Sequence, residues 1–343
     1  MQLWNKYNKE ELEKQLREKG HTYVTVSFYT YAKIQNPHTF RNELYALLDS
    51  LDVIGRIYVA HEGINAQIAV PNTHFDAFKE ALYSIDFLNG IRLNVAVEEE
   101  GAEFPFLKLK IKVRDKILAD GLNDETFDVT NKGQHLNAEE FNKITSESDF
   151  LLVDFRNHYE HEVGHFKDAI LPDVDTFRDS LPVIEEEILK GNEDKKVIMY
   201  CTGGIRCEKA SAWLKYQGFN DVNQLHGGII DYARQIREQG LPNKFKGRNF
   251  VFDERMGERI SEDVLGKCDL CGEPCDHYTN CARKACHQLF IQCPACSERL
   301  QGCCGPACQE LLDQGPSGEA TTPTNPHPGK YTKGRLKQEN QKI

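Results

Sequence analysis

A chain of 343 residues is longer than one hydrophobic core usually organises, so two or three domains are expected. With 40% hydrophobic and 28% charged residues, and no apolar run near the roughly 20 residues that span a bilayer, it reads as a soluble protein, not a membrane protein. The net charge of −11 argues against nucleic acid as a partner of the surface as a whole, which leaves only local basic fields for such a role. The first ten residues, Met1 to Glu10, lack the basic-then-apolar pattern of a secretory signal, so a cytoplasmic location is the expectation.

Residues 8–19 read as a charged helical lead-in. Tyr23–Tyr29 follows as a strand rich in β-branched and aromatic residues, then a helix from Pro37 to Leu51, strands at Val53–Ala60 and Ile64–Val70, a helix from Thr73 to Ser84 and a strand at Ile91–Val97. The order βαββαβ predicts a ferredoxin-like α+β domain over residues 20–100 with an antiparallel sheet. Gly63 supplies turn chemistry between the middle strands, where His61-Glu-Gly-Ile-Asn65 either caps a hairpin or touches a ligand.

Residues 101–136 read as a basic strand and a linker. Lys108, Lys110, Lys112, Arg114 and Lys116 alternate with Leu107, Leu109, Ile111 and Val113, so a strand here carries five cations on one face. Such a face could track a phosphate backbone, and a solvated strand edge fits the same alternation. After the acidic run Glu98–Glu100 and this strand, the stretch from Asp120 to Asn137 is rich in Asn, Asp, Gly and Thr, as linkers are. Strands at Phe150–Asp154 and Lys196–Tyr200 then alternate with helices, which predicts an α/β domain with a parallel sheet over residues 137–240. Residues 241–265 form a basic connector carrying Lys244, Lys246, Arg248, Arg255 and Arg259, and 311–343 read as a disordered tail.

The second predicted sheet ends one strand at Cys201, followed by Thr202-Gly-Gly-Ile-Arg206 and a helix. A thiol in that position is surrounded by backbone N–H groups and the positive end of a helix, both of which favour the thiolate. Thr202, Gly203 and Gly204 let the backbone curl round the sulfur, and Arg206 adds a fixed positive charge for an anionic substrate atom. A buried structural cysteine is the alternative. Cys201 is therefore the candidate nucleophile, with Arg206 beside it.

Ten of the twelve cysteines crowd between Cys268 and Cys308. In a reducing compartment this favours metal binding over disulfides. Cys268-Asp-Leu-Cys271 and Cys293-Pro-Ala-Cys296 are two C-x-x-C knuckles with 21 residues between them, the spacing of a structural zinc site, so residues 266–310 are expected to form a cysteine-rich, zinc-binding module. An iron–sulfur cluster uses the same ligand type. Cys275, Cys281, Cys286, Cys303, Cys304 and Cys308, with His277 and His287, could complete a second site. Small cysteine modules either bind RNA or serve as folding staples.

Asp154-Phe-Arg156, Gly164-His-Phe-Lys-Asp-Ala169, Tyr200-Cys-Thr-Gly-Gly-Ile-Arg206, Gly218-Phe-Asn-Asp-Val222 and Leu225-His-Gly-Gly-Ile229 resemble, in order and spacing, the successive signatures of rhodanese domains. The resemblance implies a persulfide-forming role for Cys201 and a structural one for Asp154 and Arg156. Rhodaneses place six residues in this loop, as Cys201 to Arg206 do here, whereas the related phosphatases need one more to enclose a phosphate.

The match extends beyond the middle of the chain. Val59-Ala-His-Glu-Gly-Ile-Asn-Ala-Gln67, Lys112-Val-Arg-Asp115, Asn249-Phe-Val-Phe-Asp-Glu-Arg-Met-Gly-Glu-Arg259 and the C-terminal cysteines resemble the bacterial rhodanese-domain tRNA uridine 5-hydroxylase family. That resemblance implies hydroxylation of the wobble uridine, position 34, with molecular oxygen as co-substrate and the tRNA anticodon loop as partner. It implies neither a membrane nor DNA as partner and specifies no oligomeric state. The chain shows no flavin, haem or facial-triad iron signature. A thiosulfate sulfurtransferase or persulfide carrier, and a non-catalytic RNA-binding adaptor, are the competing readings.

Overall fold

The computed structural model describes residues 7–97, 103–123, 126–147 and 149–315; the acidic run at 98–100 and most of the expected tail, 316–343, lie outside them. Helix α1 (Lys9–Lys19) starts where the Asn8 side chain accepts the Glu11 N–H and stops at Gly20, in the left-handed conformation. It leads into β1 (Tyr23–Tyr31), α2 (Pro37–Asp49), β2 (Ile54–Ala60), β3 (Gly63–Pro71), α3 (Phe75–Tyr83) and β4 (Asn94–Val95). Pro37 opens α2 behind an Asn36 cap, as the missing proline N–H allows.

The strands pair in the order β4-β1-β3-β2, antiparallel throughout, which is the ferredoxin-like arrangement. The basic strand set apart in the sequence as part of a linker is β5 (Leu109–Val113), and it joins this sheet as a fifth strand, parallel to β2. Its alternation is the reason: Leu109 and Ile111 are buried in the same core as Ile57, Val59, Ile64, Ala66 and Ile68, with Leu44 and Leu48 of α2 and Phe78 and Leu82 of α3. Burying those two side chains is worth roughly 1.5–3 kcal/mol each. One face of the sheet is thus apolar and covered by α2 and α3, while its other face is apolar at one end, where Tyr23, Ile54 and Ala69 pack with Leu16 of α1, Phe104 and Phe106, and carries Arg56, Tyr58, Asn65 and Gln67 at the other.

Strand β6 (Gln134–Leu136) begins the second layer, followed by α4 (Ala138–Ile144), β7 (Phe150–Asp154), α5 (His158–His161), β8 (Gly164–Phe166), α6 (Phe177–Val183), β9 (Lys196–Tyr200), α7 (Ile205–Tyr216), β10 (Val222–Leu225) and α8 (Gly228–Gln239). A reciprocal capping box between Asn137 and Glu140 fixes the start of α4. Strands β6, β10, β9 and β7 form a parallel sheet in that order. Asp154 and Arg156 form a two-pronged pair with no solvent exposure, and Arg156 also donates to the Gly164 carbonyl at 2.7 Å, so the pair ties β7 to β8.

The basic connector contributes two strands. Strand β11 (Phe245–Asn249) pairs antiparallel with β8 and with β12 (Glu258–Arg259). Its cations have acidic or carbonyl partners: Lys246 meets Asp263 at 3.2 Å, Arg259 meets Asp276 at 2.7 Å, and Arg255 is buried between Asp253 and Glu258. The chain ends, within the described residues, in the hairpin β13 (Tyr278–Asn280) and β14 (Leu289–Ile291) and the short helices α9 (Pro294–Arg299) and α10 (Pro306–Asp313). Among the described residues no helix is long and apolar enough to cross a membrane.

Candidate active site

Cys201 is the first residue after β9 and is fully buried. The chain leaves the sheet edge there and must turn into α7 within three residues. Gly204 makes that turn at φ 100°, where a β-carbon would stand 2.7 Å from the Tyr29 hydroxyl. The Gly204 N–H donates to Cys201 Sγ at 3.1 Å. From the opposite side α8 grips the loop: Ile229 N–H donates to the Cys201 carbonyl at 3.0 Å and Ile230 N–H to the Thr202 carbonyl at 3.2 Å. Gly228 permits this approach, since a β-carbon would lie 2.5 Å from the Cys201 carbonyl oxygen.

Burial opposes ionisation of Cys201, but a hydrogen bond from the Cys207 thiol, the charge of Arg206 and the N–H groups of Cys207 and Gly204 together lower its pKa to about 6. Cys207 goes the other way: burial and the adjacent Cys201 thiolate raise it well above the ordinary thiol range. The pair therefore holds one thiolate and one thiol near neutral pH.

Arg206 is paired with a buried acid. Its two terminal nitrogens donate to both oxygens of Glu160 at 2.6 and 2.7 Å, and Thr202 Oγ1 donates to the same carboxylate at 3.2 Å. Arg206 is thereby held as a fixed charge beneath the loop, and it also lines the cavity above. Glu160, on α5, was missed in the sequence because it sits 46 residues from its partner; the only local signal is that it also closes the α5 capping box with Asn157.

A cavity of about 370 Å³ opens over the loop. Cys201, Thr202, Gly203 and Arg206 line its base; the polar face of the N-terminal sheet, with Arg56, Tyr58, Asn65, Gln67 and Asn94, forms one wall; Val251 to Asp253, Arg255 and Glu258 form another. Asn94 Nδ2 donates to the Gly203 carbonyl at 3.3 Å and so fastens the sheet to the loop. Among the described residues a buried Asn94 Oδ1 and a buried Glu258 Oε2 have no hydrogen-bond partner, and burial raises the Glu258 pKa despite Arg255. Polar orphans in a cavity wall are what a polar ligand satisfies. Asn65 belongs to the turn motif singled out in the sequence, whereas Glu62 from the same motif reaches Lys209 of α7 at 2.8 Å and His61 is tied to the Ile34 carbonyl.

The basic row lies on this same side. Lys110 pairs across the sheet with Arg56 and Lys112 with Tyr58, both of which line the cavity. Lys110 and Arg114 are exposed, and Lys108 and Lys112 are half-buried. Partial burial, then the like charges of Lys112, Lys108 and Arg56, lower the Lys110 pKa. Lys116 leaves the row: its ammonium bonds Asp120 at 2.7 Å and the Leu122 carbonyl at 2.6 Å. In the cysteine-rich module the sulfurs of Cys268, Cys271, Cys293 and Cys296 all lie within 4.8 Å of one another, a donor set that fits one zinc ion.

Three domain families match the chain: the UPF0176 acylphosphatase like domain over residues 23–117, the rhodanese-like domain over 137–235 and the Rhodanase C-terminal family over 246–309. A protein of Leptospira interrogans named tRNA uridine(34) hydroxylase is 52% identical over 310 residues, covering 90% of this chain and 84% of that one. One of the same name from Enterobacter sp. is 52% identical over 309 residues, 90% of this chain and 88% of that one. The chain belongs to the tRNA uridine(34) hydroxylase family. Among solved structures, a rhodanese-like domain protein from Staphylococcus aureus is 22% identical and covers 29% of this chain and 90% of that one, with a TM-score of 0.25. The first family match places β5 with the N-terminal domain, in agreement with its pairing to β2. Membership of the tRNA uridine(34) hydroxylase family also fits a cysteine as the reactive residue of the rhodanese-like domain.

Proposed function

We propose that this protein hydroxylates carbon 5 of uridine 34 in tRNA, with Cys201 as the reacting thiolate and molecular oxygen as co-substrate, in the cytoplasm. The observation that carries the reading is a cysteine with its pKa lowered to about 6 at the base of a largely apolar cavity whose wall carries Asn65, Gln67 and Asn94, in a chain 52% identical to proteins named for that reaction.

The anticodon loop presents position 34 with little unstacking cost, so the base can enter the cavity while phosphates meet Lys108, Lys110, Lys112, Arg114 and Arg56 at its edge. Phosphate contacts position the loop, and the amides of Asn65, Gln67 and Asn94, each both donor and acceptor, match the carbonyl, N–H, carbonyl edge of uracil. Thr202, Gly203 and Gly204 complete the binding surface around the sulfur. Addition of the Cys201 thiolate to carbon 6 moves an electron pair toward carbon 5 and the 4-carbonyl, which makes carbon 5 the nucleophile. One oxygen atom bonds to carbon 5; the other leaves as water, using two electrons and two protons from an external reductant. Loss of the carbon 5 proton and departure of the thiolate restore the double bond. Cys268, Cys271, Cys293 and Cys296 would hold a zinc ion, which would staple the cysteine-rich module.

Nucleoside mass spectrometry of tRNA from a strain lacking the gene tests this. Wild type restores 5-hydroxyuridine at position 34, and Cys201→Ser does not. Full rescue by the serine variant would remove Cys201 from the chemistry. RNA binding without any modified nucleoside would favour an adaptor, and thiocyanate formation from thiosulfate and cyanide at the rates of dedicated sulfurtransferases would favour a persulfide carrier.

A further inference from the structure

The cysteine-rich module holds more convergent sulfur than one ion uses. Cys281, Cys286, Cys304 and Cys308 bring their four sulfurs within 4.8 Å of one another, as a second set apart from the two C-x-x-C knuckles. Cys304 Sγ is 3.7 Å from both Cys286 Sγ and Cys308 Sγ, and in the first set Cys271 and Cys293 are also 3.7 Å apart. Four thiolates placed about 2.3 Å from a central zinc have tetrahedral edges of about 3.8 Å, whereas a disulfide draws two sulfurs to about 2.05 Å. All twelve cysteines are free thiols. Sulfurs this close enclose a single ion; an iron–sulfur cluster holds its cysteines further apart, around several irons.

A second relationship repeats between the sets. The Cys293 N–H donates to Cys268 Sγ at 3.3 Å, and the Cys304 N–H donates to Cys281 Sγ at 3.4 Å. In each set the third cysteine in the chain donates to the sulfur of the first, a bond that favours the thiolate a metal needs. Cys281, Cys286 and Cys308 are at most 4% exposed and share a small core with Phe290. The order along the chain alternates: the first pair of one set, the first pair of the other, then the second pair of each.

We infer that Cys281, Cys286, Cys304 and Cys308 form a second tetrathiolate zinc site, interleaved with the first so that each ion closes a loop containing ligands of the other. Cys275 and Cys303 stay outside both sets. The metal count is independent of whether the protein hydroxylates tRNA.

The test is elemental analysis of the full-length protein purified from zinc-supplemented cells under reducing conditions, with a cobalt titration read by sulfur-to-cobalt charge-transfer absorbance. The wild type is expected to carry two zinc ions per chain and to saturate at two equivalents of cobalt. Cys275→Ser with Cys303→Ser keeps two; Cys281→Ser with Cys304→Ser loses at least one. The cobalt endpoint on wild-type protein needs no variant, so a misfolded variant leaves the inference testable. One equivalent in the wild type, iron in place of zinc, or two ions kept by Cys281→Ser with Cys304→Ser would overturn it.

Discussion

Arg206 and Glu160 form a buried ion pair, joined by two hydrogen bonds of 2.6 and 2.7 Å, underneath the loop that presents Cys201. The arginine acts on the sulfur through its charge and through the loop it holds. Removing one partner of such a pair leaves the other buried and uncompensated, which costs about 3–5 kcal/mol. Glu160→Gln is therefore expected to lower stability by that order in denaturant unfolding. Arg206→Lys keeps the charge but loses the two-pronged geometry, and is expected to impair stability nearly as much.

The pH dependence follows from the Cys201 pKa of about 6. In the proposed mechanism the reactive form is the deprotonated one, so the rate with tRNA is expected to be flat above about pH 7 and to fall as pH drops through 6. Cys207→Ala removes the thiol that bonds the thiolate, so the acid limb of the profile should move to higher pH. A profile unmoved by that substitution would show that Cys207 contributes nothing to the sulfur.

The two loop glycines separate positioning from space. At Gly204, with φ 100° and the Tyr29 hydroxyl 2.7 Å from a β-carbon, alanine is expected to cost about 1–3 kcal/mol in thermal or chemical unfolding. At Gly203 a β-carbon meets only Asn94 and Ser27, at 3.8 and 3.9 Å. Gly203→Ala should leave stability within about 0.5 kcal/mol of wild type. Because it intrudes into the cavity, it should raise KM for tRNA.

Lys110→Ala and Lys112→Ala are expected to weaken tRNA binding and to leave kcat nearly unchanged. Each lost phosphate contact should flatten the slope of log K against log salt by about 0.7–0.9. Binding measured across a salt series checks this. Lys116→Ala, whose ammonium is engaged by Asp120 and Leu122, should not alter that slope.

The Tyr278 hydroxyl of the cysteine-rich module lies 2.8 Å from the Tyr159 carbonyl, beside Glu160, and 2.9 Å from a Glu162 carboxylate oxygen, the two acceptors sharing its one hydrogen. Tyr278→Phe is expected to cost about 0.5–1.5 kcal/mol per bond lost. Removal of metal by a chelator should lower the thermal midpoint and, through the same contact, loosen the Arg206 pair. Calorimetry of the treated and untreated protein reads the first effect.

Local features of the sequence carried much of the fold. The βαββαβ order, the parallel strands around Cys201 and the two knuckles all follow from patterns within a few residues. What was hidden depends on pairing at a distance. The wall of the cavity comes from alternate residues of β1, β2 and β3, and only the register Arg56 to Gln67 and Tyr58 to Asn65 brings their polar sides together. The pairing of the connector cations is partly local, since Asp253, Arg255 and Glu258 stand within five residues of one another. Lys116 has its acid four residues on.

The cavity over Cys201 is bounded by the N-terminal sheet, by the cysteine loop and by the segment after β11, so no single domain encloses it. A rhodanese-like domain cut out on its own would keep the nucleophile and expose it on an open floor, free to meet any small electrophile. The lining of the cavity is a property of the seams between domains. Changes in how the three parts are joined, more than changes at the thiolate, are then the route by which a new substrate would be acquired.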